Sequence, residues 1–288
     1  MARSKIIDYI SLTKPRVTLM VLITMLFGFY LGAHGEVDFI LLSCALVGTA
    51  LVAGGTSALN QYLERDLDAK MLRTKNRPLP AGRMAPARAL AFGVFISIAG
   101  LLLLAWRVNT LTALLAALTL VSYVFLYTPL KQKSHLSTLV GAIPGALPPM
   151  GGWTAARGEI GIEAWVLFAI LFLWQLPHFL AIAWIYREDY ARGGFPMLPV
   201  IDPEGRSTGR QIVSNCLALL PVSLLPSLLG ISGRAYFFGA LALGLIFFGY
   251  GVAVHFQPSN LSARRLMRAS LIYLPVLLLL MALDKISF

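Results

Sequence analysis

Nine long apolar stretches constrain this chain more than any other feature. A helix needs about 20 mostly apolar residues to cross a bilayer. Segments of that kind recur at 17–33, 39–62, 87–106, 110–127, 136–154, 164–186, 211–230, 235–255 and 268–283 of the 288 residues. Hydrocarbon offers backbone groups no water, so such a chain is expected to fold as an all-α polytopic membrane protein. Its composition agrees. Only 13% of residues are charged and 58% are hydrophobic, against about 25% charged in soluble domains. A water-soluble enzyme, a disordered chain and a disulfide scaffold are thereby excluded. Cys44 and Cys216 both lie in apolar stretches and read as small buried hydrophobes. The fifth segment is the most interrupted, by Pro144, Pro148 and Pro149. Membrane helices tolerate such residues where neighbouring helices satisfy the freed backbone groups. The polar, basic residues before the first span show no cleavable signal peptide.

The formal net charge of +11 would suggest nucleic acid in a soluble protein. Here it is read as topology, with the lipid bilayer as partner and no nucleic acid. With nine spans, all of the 24 Lys and Arg except Arg107, Arg157, Arg234 and Lys285 fall on the N-terminal side. The positive-inside rule therefore predicts a cytoplasmic N-terminus and a C-terminus on the opposite face of a cell inner membrane. One membrane-embedded domain over 1–288 is expected. Two polar segments on the basic side, 63–86 and 187–210, are long and chemically rich.

The acids are scarce, and five of the 13 (Glu64, Asp66, Asp68, Glu188 and Asp189) form two clusters at the starts of these segments. No Gly or Pro separates Thr56 from Arg77, so the second helix is expected to continue past the membrane edge. Asn60, Glu64 and Asp68 then share one face, within about 12 Å. Oxygen ligands in that arrangement suit Mg²⁺, which takes one or two carboxylates and fills other positions with phosphate oxygens. Asp66 points elsewhere, towards Arg65 or Lys70. Arg73 and Arg77 follow as cations. In the second segment, His178 and Asp189 are eleven residues apart and are expected on one helix face with Tyr186. For Glu188 and Asp189, a helix end bonded to Arg187 and Arg192 is the competing reading. Tyr127 and Lys131 are four apart, able to reach an anion or to act as an interfacial anchor. Lys14 and Arg16 carry the same ambiguity. Carboxylates, cations and an apolar surround together suggest a cavity for a divalent metal, a diphosphate and a lipid tail. Departure of diphosphate from an allylic chain leaves a carbocation, which a water-poor site protects.

Asn60-x-x-x-Glu64-x-x-x-Asp68, Arg73-Thr74-Lys75-Asn76-Arg77-Pro78, Tyr127-x-x-x-Lys131 and the Asp189 cluster resemble the UbiA superfamily of intramembrane prenyltransferases. Leu176-Pro177-His178-Phe179, Tyr186-Arg187-Glu188-Asp189-Tyr190 and Gly193-Gly194-Phe195-Pro196-Met197-Leu198-Pro199 look like its haem-farnesylating branch. The resemblance covers essentially the whole chain. It implies nine transmembrane helices around a central cavity, and transfer of farnesyl from farnesyl diphosphate to a vinyl of haem B, giving haem O. It further implies Mg²⁺ on Asn60, Glu64, Asp68 and Asp189. Diphosphate would meet Lys14, Arg16, Arg73, Arg77, Lys131 and Arg187, steadied by Tyr127. His178, as axial ligand or propionate contact, and Tyr186 would meet haem. A haem A synthase or a terminal oxidase would receive the product. Two departures stand out: Gln61 takes the place of the superfamily's first acid and Glu64 that of its second. The runner-up is a UbiA-type transferase acting on an aromatic acid or quinone precursor. A transporter fits less well, because its charges belong near the bilayer midplane and these acids gather at one face.

Overall fold

The computed structural model describes residues 2–286, and every extended element among them is helical. The helices are α1 (Ala2–Leu12), α2 (Pro15–Gly32), α3 (Phe39–Asp68), α4 (Pro86–Arg107) and α5 (Thr110–Val121). A π-helical segment, Ser122–Tyr127, joins α5 to α6 (Thr128–Leu130). Then come α7 (Ser137–Arg157), α8 (Ile162–Ile185), α9 (Arg187–Arg192), α10 (Leu198–Ile201), α11 (Arg206–Val222), α12 (Leu225–Leu228), α13 (Arg234–Phe256) and α14 (Asn260–Leu283).

Eight helices are long and apolar enough to cross a membrane, so the chain is a multi-span membrane protein. The expected fifth span, α7, is not one of the eight, although it is a continuous helix of 21 residues. Its composition follows from its position. Fifteen of its residues are buried, so protein surrounds it and glycine and proline dilute its apolarity without exposing backbone to lipid. Small residues let α2 close on it: a Cβ on Gly28 would strike the Pro149 backbone, and one on Gly152 the Met25 carbonyl. The same logic joins α3 to α4, where a Cβ on Gly55 would strike Ser97 and one on Gly100 the Gly48 carbonyl.

Several boundaries differ from the sequence reading. The N-terminal polar stretch forms α1, which exposes Ile6, Ile7 and Ile10 as an interfacial helix would. The seventh expected span begins at Arg206, and its helix ends at Val222 before the short α12. The second apolar segment does run on, as far as Asp68. The eighth helix does not: α8 ends at Ile185, and Tyr186 (φ −108°, ψ 21°) turns the chain into α9. His178 and Asp189 therefore lie on separate helices rather than on one continuous face.

Candidate functional site

A cavity of about 390 Å³ runs between α2, α3, α5, α7 and α8. One end is charged, lined by Lys14, Asn60, Glu64, Asp68, Arg73, Arg77 and Lys131. The rest is apolar or carries small hydroxyls, with Val21, Met25, Val52, Leu115 and Leu147 among its walls. Three tyrosines, Tyr123, Tyr127 and Tyr190, also line the cavity.

Residues four apart on a helix share a face, so α3 presents Asn60, Glu64 and Asp68 to this cavity, all at most 2% exposed. Each has a cationic neighbour. Lys14 Nζ donates to Asn60 Oδ1 at 2.8 Å. Lys131 Nζ donates to Glu64 Oε1 and Oε2 at 3.0 and 3.2 Å, and Arg77 Nη1 to Asp68 Oδ2 at 2.6 Å. Burial works against the Lys131 ammonium, yet the Glu64 carboxylate outweighs it and raises the lysine's pKa.

Local backbone features deliver these cations. Lys14 holds φ 47°, the one non-glycine positive φ among the described residues. That conformation costs about 1–2 kcal/mol and places the ammonium over Asn60. Gln61 supports the same bend, its Nε2 donating to the Leu12 carbonyl at 2.8 Å. The amide at the superfamily's acidic position thus fastens the α1–α2 hinge to α3. At the other wall, Pro129 lacks an N–H and cannot continue a regular α-ladder. The preceding turn widens to a π-segment, and Thr128 Oγ1 donates to the Tyr123 carbonyl at 2.9 Å. Asn60 Nδ2 donates to the same hydroxyl at 3.2 Å. Tyr123 and Tyr127 face the cavity with their rings 4.9 Å apart.

The segment after α3 folds back over its own end. Thr74 Oγ1 donates to the Asp68 carbonyl at 2.8 Å, and Met71 buries against Tyr190, Phe195 and Met197. Gly194, at φ 76°, supplies the left-handed turn that returns Phe195 under Lys131, whose Nζ lies 4.4 Å from the ring centroid.

Asp189 does not line the cavity. Its Oδ1 and Oδ2 accept from the Leu72 and Arg73 backbone N–H groups at 3.0 and 3.1 Å, and Arg192 completes the set. Burial alone would raise its pKa, but Arg192 and the two N–H groups hold the carboxyl below the ordinary range. In this geometry it fastens the Arg73 loop rather than facing the other acids. His178 also lies outside the cavity wall. Its Nδ1 sits 2.7 Å from Ser270 Oγ and its ring stacks on Trp174 at 5.2 Å, so it packs α8 against α14. Arg187 donates to the Trp184 carbonyl and to Asn260 Oδ1, and Arg16 is exposed beyond the wall. Tyr186 reaches the site only through Arg73, whose guanidinium lies 5.1 Å over its ring. Tyr190 and Phe195, which carried no expected role, complete the charged end. Asp66 pairs with Arg65 at 3.7 Å on the exposed side.

The oxygen donors suit a hard divalent ion. Asp68 Oδ1 is buried without a hydrogen-bond partner. Among the described residues no three His, Cys, Asp or Glu side chains converge on a protein-only metal site. One or two carboxylates completed by phosphate oxygens is the pattern Mg²⁺ adopts.

The profile of the UbiA prenyltransferase family matches residues 21–274. A protoheme IX farnesyltransferase from Solibacter usitatus (strain Ellin6076) is 53% identical over 287 residues, covering 96% of this chain and 98% of that protein. A solved digeranylgeranylglyceryl phosphate synthase shares the fold with TM-score 0.83 at 17% identity, over 99% of this chain and 100% of that one. A UbiA homologue from Archaeoglobus fulgidus bound to DMAPP and Mg²⁺ does so with TM-score 0.68 at 16% identity, over 93% of this chain and 99% of that one. By family match over most of its length and by near-complete alignment to such relatives, this chain belongs to the UbiA prenyltransferase family.

Proposed function

We propose that the chain transfers the farnesyl group of farnesyl diphosphate to a vinyl group of haem B, giving haem O and diphosphate. It does so as one membrane-embedded domain over 1–288, in a cell inner membrane with its N-terminus in the cytoplasm. The observation that carries this reading is one cavity joining a cap of paired acids and cations to a largely apolar remainder. A prenyl diphosphate has that shape and charge. The 53% identical relative named protoheme IX farnesyltransferase supplies the acceptor.

Lys14, Arg73, Arg77 and Lys131 are placed to hold the diphosphate, and their charge stabilises it as it leaves. Asn60, Glu64 and Asp68 would hold Mg²⁺ beside the diphosphate, and the ion would supply positive charge against the leaving group; the Archaeoglobus homologue was solved with that ion. The bond from farnesyl C1 to oxygen breaks with its electron pair going to diphosphate. The allylic cation left behind lies among the faces of Tyr123, Tyr127 and Tyr190, and aromatic faces attract cations. The vinyl π-pair of haem then forms the new carbon–carbon bond to C1. Positive charge passes to the carbon beside the macrocycle, where water adds its oxygen and releases a proton, leaving the hydroxyl.

Purified protein in lipid, given haem B, farnesyl diphosphate and Mg²⁺, is expected to yield haem of increased mass corresponding to haem O. Unchanged haem alongside prenylated 4-hydroxybenzoate in a parallel reaction would overturn the acceptor.

A further inference from the structure

The apolar part of the cavity has a definite floor. Its last wall residues away from the charged end are Met25 on α2, Thr49 on α3, Thr112 on α5 and Gly151 on α7. Below them Phe29, Ala45 and Ala155 pack with Met25 into a closed cluster. The Thr112 and Thr154 hydroxyls, 2.9 Å apart, tie α5 to α7 at the same level. Eleven residues of α3 separate Asn60 from Thr49, a rise of about 16 Å. An extended isoprene unit of four main-chain bonds covers about 5 Å, so three units reach the floor and a fourth overruns it.

Among the floor residues Gly151 differs from the other glycines of its helix. A Cβ on Gly141 would strike the Tyr127 ring, one on Gly145 the Gln175 amide, and one on Gly152 the Met25 carbonyl. Those three are glycines because neighbouring groups leave no room. A Cβ on Gly151 would meet nothing within 4 Å, although the residue is buried. Helix packing leaves that space empty, and the space belongs to the tunnel.

We propose that Gly151 sets the prenyl chain length, the room left by its missing side chain being taken by the terminal isoprene unit of a C15 donor. This rests on the prenyl-diphosphate reading above. A side chain at this position projects from the floor and shortens the tunnel by about one unit, so that a C10 donor fits and a C15 donor does not. Truncating Met25, the floor residue opposite, does the reverse.

The test measures binding of thiolodiphosphate analogues of geranyl, farnesyl and geranylgeranyl chains to the purified full chain, with no acceptor present. Wild type is expected to favour farnesyl over geranyl by about tenfold or more. Gly151→Leu should invert that preference, and Met25→Ala should admit the geranylgeranyl analogue. A farnesyl-to-geranyl ratio in Gly151→Leu equal to wild type would overturn the proposal. If that variant fails to fold, an unchanged geranylgeranyl affinity in Met25→Ala overturns it equally. Haem prenylation by wild type is scored separately. Analogue binding without haem product refutes the acceptor and leaves the length determinant standing, whereas haem product with unaltered chain preference does the opposite.

Discussion

Burying carboxylates at the end of a membrane helix requires a counter-charge for each, and Glu64 shows how strictly. It is 2% exposed and takes both its short contacts from Lys131. Removing one partner of such a pair strands a buried charge, so Lys131→Met should cost about 3–5 kcal/mol of stability. The double variant Glu64→Gln/Lys131→Met should recover most of that loss while remaining inactive. Thermal unfolding in detergent beside haem prenylation checks both halves; recovered activity in the double variant would show the pair to be structural only. Lys14 carries a pH signature. Burial, aided by Arg77, lowers its ammonium to about 7. A bound anion favours the charged amine, so affinity for inorganic diphosphate is greatest below that pH and falls as pH rises through it. An arginine stays charged to about pH 12 or beyond, so Lys14→Arg should flatten the fall; titration calorimetry from about pH 6 to 9 would expose parallel declines if Lys14 is not the group responsible. At this scale the sequence revealed the α3 acids, because a spacing of four fixes a shared face. It could not reveal that Asp189 is occupied by the backbone of Leu72 and Arg73, since those partners lie more than a hundred positions away. Nor could it reveal that His178 spends its Nδ1 on Ser270.

Helix continuity divides into what local chemistry dictates and what packing dictates. α3 overruns the apolar segment to Asp68 because nothing between Thr56 and Asp68 interrupts it, and this was legible. The end of α8 at Ile185 was not, for no glycine or proline marks it; the chain turns at Tyr186, and α9 then carries Asp189 against the Arg73 loop. The π-segment before Pro129 was half legible, since the proline was visible but the rotation of Tyr123 and Tyr127 into the cavity was not. The Asp189 clamp yields an element-scale prediction. An asparagine can accept from one of the two N–H groups, but its own amide hydrogens then oppose the other, so the loop carrying Arg73 loosens. Asp189→Asn should raise KM for farnesyl diphosphate roughly tenfold, the loss expected for one charge-assisted hydrogen bond, while the Mg²⁺ concentration for half-maximal rate stays as in wild type. A large increase in the Mg²⁺ requirement instead would return Asp189 to the metal.

Across the whole molecule, composition announced a membrane bundle, and the alternation of apolar segments placed most helix ends within a few residues, although α14 starts at Asn260, ahead of the expected 268, and α11 ends at Val222, short of the expected 230. The interior α7 was harder because burial by protein, rather than lipid, sets its composition. The cavity floor was illegible, since it is made by Met25, Thr49, Thr112 and Gly151 from four helices. Charge placement makes the remaining prediction. On the proposed reading the cations at the reactive end would serve two ends at once: retention on the cytoplasmic side, where loops rich in Lys and Arg remain, and anion binding within the cavity. The loop carrying Lys75 and the turn carrying Glu159 are exposed at opposite ends of the bundle, joined to the ends of α3 and α7. With Cys44 and Cys216 replaced by alanine, Glu159→Cys should react with a membrane-impermeant maleimide once the outer barrier is opened. Lys75→Cys should react only after the inner membrane is breached. Relocating the reactive end to the outer face would need that whole basic set to cross the bilayer, so the reverse labelling order would refute the orientation and with it the cytoplasmic supply of diphosphate substrate.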